Sequence, residues 1–482
     1  MKTSLKILVL LFVALFTFQS CEDMDDVAAP EYLQVNDFIW KGLNLYYLWQ
    51  ADVPNLSDHR FATQAQLYNF LDNYSSPEDL FDALRVDKTI DRFSWIVSDY
   101  RELEGMLQGT TKNNGMDFIL YRKSSAPNDL FGSVRYIIPN SDASTKDIKR
   151  GDIFYAVNGI PLTISNRLDL LLGSDTYTLD LADYNNGQIT PNGKSVTLTK
   201  TELSENPILI NNVIENGGHK IGYLMYNGFY PNYDLQLNDA FASLKSQGIT
   251  DLVLDLRYNG GGSVQTAAYL ASMITGQFTG QIFAKERWNN KVNAYFESED
   301  PDALKNLFTN NIDGTPIKSL NLNKVYILTT NSTASASEIV INGLKSYINV
   351  VQIGDTTIGK NVGSITIYDS PTFGKKDRNP LHHYAMQPIV FKISNSKDVS
   401  DYSKGLIPEA GNLLVENVNN LGVLGTSTEP LLNMAIVKIT GTAKMVEKIE
   451  GKTFEYLEDS KSINGQNQMY LDKVPAGFLK AL

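Results

Sequence analysis

The stretch NSTASASEIVINGLKSY, residues 331–347, sets three serines within six positions, and 25 residues beyond Ser335 stands Lys360 in TTIGKNVGS, residues 356–364. A serine hydroxyl is inert until a base takes its proton, and the usual base is histidine. The chain has four, His59, His219, His382 and His383, none near the serines in sequence. On local grounds Ser335 to Glu338 has the form of a capping box, in which the serine hydroxyl accepts the helix's third N–H, a structural role worth about 0.5–2 kcal/mol. The chemical alternative is Lys360. Near its reference pKa of about 10.4 a lysine is almost never neutral at pH 7, but burial disfavours the ammonium and can lower that pKa by several units. Ile353 and Ile358, with Gly359 allowing close approach, suit such burial.

These residues need a scaffold that brings distant loops together, and the surrounding pattern supplies one. HKIGYLMYNGF contains a strand, and NDAFASLKSQGI has helical spacing that ends at Gly248. DLVLDLR, residues 251–257, is a continuous apolar run of the kind that a strand covered on both faces carries. NGGG (259–262) follows, and then VQTAAYLASMIT at helical spacing; VYILTT (325–330) and VVQIG (350–354) are further buried strands. Alternation of this length predicts an α/β core with a parallel sheet and right-handed crossovers. Sites in such sheets gather at the C-terminal ends of strands, where the glycine run, the serine cluster and the lysine loop all fall.

Before this core, residues 31–105 read as a small helical N-terminal domain, from VNDFIWKGLNLYYLW and PEDLFDALRV. Its aromatics, Phe38, Trp40, Tyr46, Tyr47 and Trp49, fit core packing better than a ligand platform. Residues 106–200 turn to short strands broken by Asn, Gly and Asp, and IIPNSDASTKDIKRGDIFYAVNGIPL (137–162) resembles a PDZ domain of bacterial proteases. Asn158-Gly159 there supplies the positive φ values of a tight turn. That resemblance makes Gly115, Met116, Asp117 and Phe118 the loop whose N–H groups capture a peptide's terminal carboxylate.

Taken together, GDIFYAVNG, DLRYNGGGS, STASASEIVINGLKS and IGDTTIGKNVGS resemble the C-terminal processing (tail-specific) serine proteases, peptidase family S41, in the family's order over most of the chain. The resemblance implies a ClpP/crotonase-like core over residues 205–440. It makes Ser335 the nucleophile and Lys360 the base, with the N–H groups of Ala336, Gly262 and Gly261 as oxyanion hole. Such proteases commonly carry a glutamine four residues after the lysine; here that position is Ser364, a shorter hydrogen-bonding group. Asp255 and Arg257 are placed to pair and brace the glycine loop. Residues 441–482 are polar, mixed in charge and expected to form a peripheral extension.

A net charge of -12 and the lack of any basic block argue against nucleic acid as a partner. No zinc spacing, phosphate loop or calcium loop occurs, so no cofactor is expected. The N-terminus carries Lys2 and Lys6, then an apolar run from Ile7 to Phe18, the layout of a signal peptide over residues 1–20. Cys21, the only cysteine, follows it and resembles the lipidated cysteine of a bacterial lipoprotein, with residues 21–30 an acidic tether. The expectation is a cell-envelope serine endopeptidase, lipid-anchored to the outer membrane, that recruits polypeptides by their free C-termini. The rival reading is a non-catalytic peptide-binding lipoprotein with Ser335 serving only as an N-cap. A crotonase-type thioester enzyme gains little support, since a secreted protein would not meet coenzyme A.

Overall fold

The computed structural model describes residues 29–123, 126–185, 187–442, 454–463, 465, 468–472 and 474. Residues 1–28, with the expected signal peptide, Cys21 and most of the tether, lie outside the described residues. At the centre is a five-stranded sheet in the order Ile208–Asn216, His219–Tyr226, Asp251–Asp255, Lys324–Thr329 and Asn349–Gly354. The first pair is antiparallel; every later neighbour is parallel.

The apolar runs predicted to be covered on both faces are so covered, by side chains that alternate between two cores. Leu252, Leu254, Val325 and Ile327 pack into one cluster with the helices Val264–Thr275 and Ala336–Leu344. Val253, Tyr326 and Leu328 face the other, against Leu431, Leu432 and Ala435 of the helix Pro430–Thr440. Each such side chain removed from water contributes about 1.5–3 kcal/mol, so the central strands are held from both sides. Because Asp251–Asp255, Lys324–Thr329 and Asn349–Gly354 are direct neighbours, the loops leaving their C-terminal ends lie side by side.

The helical N-terminal segment is not a separate body. Phe38, Trp40, Tyr46 and Tyr47 are buried in the same continuous core as the central sheet, and Trp95–Val97 pairs with Ala385–Gln387. Residues 110–204 carry a β-rich unit whose main sheet includes Met116–Lys123, Ala126–Ile137, Ile153–Val157, Thr176–Asn185 and Gln188–Thr199. Asn158 and Gly159 make its tight turn with φ of 51° and 77°.

The largest departure from the sequence reading is at the C-terminal end, which is not peripheral. Glu455–Asp459 adds an antiparallel strand to Met116–Lys123, the edge of the β-rich sheet. Met469–Tyr470 then enters a second sheet, between Gly262–Ser263 and Val362–Ser364, parallel to both. The polar, mixed-charge composition that suggested an exposed appendage is that of an edge strand and a short insert, whose partners lie hundreds of residues away.

Candidate active site

Ser335 sits at the N-terminus of the helix Ala336–Leu344 with φ 67° and ψ -116°, a left-handed conformation that costs a non-glycine residue of order 1–3 kcal/mol. The Glu338 carboxylate accepts the Ser335 N–H at 2.7 Å, but the Glu338 N–H goes to the Ser335 carbonyl at 2.9 Å. The Ser335 hydroxyl is buried and has no hydrogen-bond partner among the described residues. An N-cap role does not account for a hydroxyl held in that state.

Glu338 links the serine to the lysine. One carboxylate oxygen accepts from both Ser335 N–H and Lys360 N–H, at 2.7 and 2.8 Å; the other accepts from Gly359 N–H at 2.7 Å and from the Thr357 hydroxyl. Burial pushes its pKa up while these four donors pull it down. Sequence spacing marked Glu338 as a helix cap, but nothing local showed that its remaining bonds reach the lysine loop.

Lys360 is wholly buried. Burial brings its ammonium down to about 7, opposed by the charges of Asp91 and Glu338 and reinforced by Arg92. Its Nζ lies 4.7 Å from the centre of the Phe93 ring and donates to Gln468 Oε1 at 3.0 Å. The wall of the lysine pocket therefore comes from the N-terminal segment on one side and the C-terminal tail on the other. Asp91 is itself fixed by Tyr47, whose hydroxyl donates to it at 2.7 Å.

The glycine loop passes directly over the serine. A Cβ on Gly261, where φ is 112°, would stand 2.5 Å from the Ser335 Cβ and 3.0 Å from the Ala336 nitrogen, so only glycine fits. The donor role expected for Gly261 is corrected: its N–H goes to the Asn259 side chain at 2.9 Å. The Gly262 N–H instead meets the carbonyl of Gln468 at 2.5 Å. Ser364, in place of a glutamine, donates its hydroxyl to the Met469 carbonyl at 3.2 Å, and the group that meets the lysine amine is Gln468.

Asp255 and Arg257 pair at 2.9 Å with no exposure, and Arg257 also grips Glu429 through two bonds of 2.7 Å. Glu429 in turn caps the helix Pro430–Thr440 by accepting from Leu431 and Leu432 N–H. Removing one partner of a buried pair strands the other charge, at about 3–5 kcal/mol. Glu429→Ala is accordingly expected to lose that much stability in urea unfolding.

The carboxylate-capturing loop is arranged differently from expectation. Gly115 and Met116 N–H groups go to Asn113 and Asn114 side chains, and Asp117 is ion-paired with the buried Arg135. Phe118 N–H donates to the Ser460 hydroxyl of the tail at 3.2 Å. The histidines take no part: His219 pairs with Asp251, His382 with Asp369, and His383 packs on Tyr100.

Residues 220–368 match the sequence profile of peptidase family S41, and residues 34–95 that of the peptidase S41 N-terminal domain. These two stretches are what the chain shares with peptidase family S41. It is 27% identical over 229 residues to carboxyl-terminal-processing peptidase 1 of Arabidopsis thaliana chloroplasts, covering 47% of this chain and 43% of that one. Against the carboxyl-terminal-processing protease of a Picosynechococcus strain it is 26% identical over 255 residues, 51% of this chain and 56% of the relative. The chain thus spans about half the length of these relatives. A crystal structure of a candidate S41 protease from Bacteroides fragilis superposes with a TM-score of 0.63 at 27% identity, over 84% of this chain and 97% of the other. The S41 match at 34–95 includes Asp91 and Phe93, the residues that close the lysine pocket.

Proposed function

We propose that this chain is a secreted serine endopeptidase of the tail-specific type, anchored in the cell envelope through Cys21, in which Ser335 is the nucleophile and Lys360 its base. One observation carries the reading: a strained, buried serine hydroxyl with no hydrogen-bond partner among the described residues, tied through a single glutamate oxygen to a buried lysine that titrates near neutrality. A lysine neutral at working pH takes the serine proton, and burial is the means of making it neutral. The Gly262 and Ala336 N–H groups then stabilise the tetrahedral oxyanion, each such donor being worth about 2.7–4 kcal/mol.

In this reading the core is ClpP/crotonase-like and the β-rich unit is a PDZ domain that admits polypeptides by strand addition along Met116–Lys123. The added strand in the structure runs antiparallel to that edge, with its C-terminal end at Phe118 and Ser460, the polarity a captured C-terminus would take. Substrates are polypeptides with free C-termini, and none of the chemistry needs a metal or cofactor.

The test is digestion of casein followed by mass spectrometry, with Ser335→Ala and Lys360→Ala alongside, each verified as folded by circular dichroism. Cleavage lost in both variants is the expected result. Cleavage undiminished by Ser335→Ala would refute the assignment, and binding of peptides without cleavage by the wild type would favour a capture protein.

A further inference from the structure

The C-terminal tail of the chain runs directly across the candidate site. Met469 and Tyr470 run as a strand between Gly262–Ser263 on one side and Ser364 on the other, bridging the loop that carries the oxyanion donor and the strand that follows the lysine. Leu471 N–H donates to the Ser364 carbonyl at 3.2 Å, and the Tyr470 hydroxyl to the Leu107 carbonyl at 2.6 Å. Met469 is fully buried. This is main-chain recognition of an extended peptide, the mode by which a sheet edge takes up a strand.

Just before that strand one peptide group is singled out. The Gln468 carbonyl oxygen receives the Gly262 N–H at 2.5 Å. The point where a Cβ on Gly261 would sit lies 2.4 Å from that oxygen and 2.5 Å from the Ser335 Cβ, so the carbonyl and the serine side chain flank the same spot. The Lys360 amine donates to the side chain of the same residue. Upstream, the tail is docked on the β-rich unit: Glu455–Asp459 pairs with its edge strand, Glu458 pairs with Arg167 of the helix Arg167–Leu172, and Asp459 joins Arg135. Ser460 and Lys461 close a cavity of about 80 Å³ lined also by Met116, Phe118, Leu171 and Tyr177. A polypeptide docked on the β-rich unit and threaded on to the serine would follow the course the tail already takes.

We propose that the chain is its own first substrate: Ser335 cleaves the Gln468–Met469 bond, and until it does the uncut tail keeps other polypeptides out of the cleft. The inference rests on the Ser335 and Lys360 assignment above. In the step, Ser335 Oγ bonds to the Gln468 carbonyl carbon while its proton passes to Lys360 Nζ. The bond to the Met469 nitrogen breaks and that nitrogen takes the proton from Lys360. Water then attacks the ester, freeing Ser335 and leaving a carboxylate on Gln468 and a new amino terminus on Met469. The strand's two neighbours hold the product only through short pairings, so the residues after Gln468 can leave.

The experiment is a time course on the full chain purified in detergent, with intact mass and casein hydrolysis followed in the same samples, beside Ser335→Ala and a tail variant, Met469→Asp. The expected result is a product ending at Gln468 that forms at a rate independent of protein concentration, is absent in Ser335→Ala, and rises in step with casein hydrolysis. Met469→Asp sets a charge in the buried position and loosens the strand, so its initial casein rate should exceed the wild type's severalfold. A wild-type tail that stays intact while casein is digested at full rate from the first minute overturns the proposal and leaves the protease assignment standing. Casein digestion that persists in Ser335→Ala overturns the protease assignment itself.

Discussion

Replacement of Lys360 by methionine is expected to abolish casein cleavage and yet make the protein harder to unfold at neutral pH. Methionine keeps the unbranched shape and can rest against Phe93, so the pocket stays filled. The gain in stability follows from linkage. The folded lysine titrates near 7, well below an ordinary lysine, so between about pH 7 and 10 the unfolded chain binds a proton that the folded chain refuses. That proton favours unfolding, and wild-type stability should rise with pH across this window. Removing the amine removes the penalty, roughly 2–4 kcal/mol at pH 7, with the advantage fading towards pH 10. Chemical denaturation of both proteins at pH 7 and pH 10 measures it; a Lys360→Met protein less stable than wild type at pH 7 would contradict a buried, easily neutralised amine. On the rate side the same group predicts a kcat/KM that climbs through an apparent pKa near 7 and levels off above it.

Glu338→Gln should be nearly as damaging, though Glu338 is placed to touch no substrate. An amide cannot accept on both ends, so at least one of the donors from Ser335, Thr357, Gly359 and Lys360 is left facing an NH₂ group. Each buried donor stranded in this way costs about 1–3 kcal/mol. Displacing the serine from the lysine by even about 1 Å can cost about 10²-fold in rate, and a loss of that size or more is expected in kcat. The pH profile separates this positioning role from simple loosening. The Glu338 charge holds the Lys360 pKa up, so its removal should move the rising limb of the profile to lower pH, whereas a merely loosened fold would leave that limb in place.

The elements that carry the site were legible because their signals are local. Runs such as DLVLDL and VYILTT announce strands buried on both faces, and a crossover between neighbouring parallel strands returns Lys360 to the edge where Ser335 stands, which fixed spacing can reveal. What escaped the sequence depends on contacts with no local mark. Phe93 is one aromatic among many, and only the packing of residues 91–94 against the lysine loop makes it part of the site. Gln468 lies in a polar stretch whose strand exists because two distant strands flank it. Gly261 and Gly262 look interchangeable in NGGG, but the Asn259 side chain takes one N–H and leaves the other. The Asn-Gly turn of the β-rich unit was readable because a tight turn demands positive φ whatever surrounds it.

The lysine pocket is closed by residues that come from opposite ends of the chain, Asp91 to Phe93 before the core and Gln468 after it. In a chain whose N-terminal wall has come away from the core, Lys360 is open to water and is an ordinary charged ammonium with no capacity to take a proton. On the proposed mechanism, a chain that has lost the Asp91 to Phe93 wall has no base and cannot cut what it touches, even where the central sheet persists. Packing of the N-terminal segment on the core is thus a safeguard in its own right, since that contact turns an ammonium into a base.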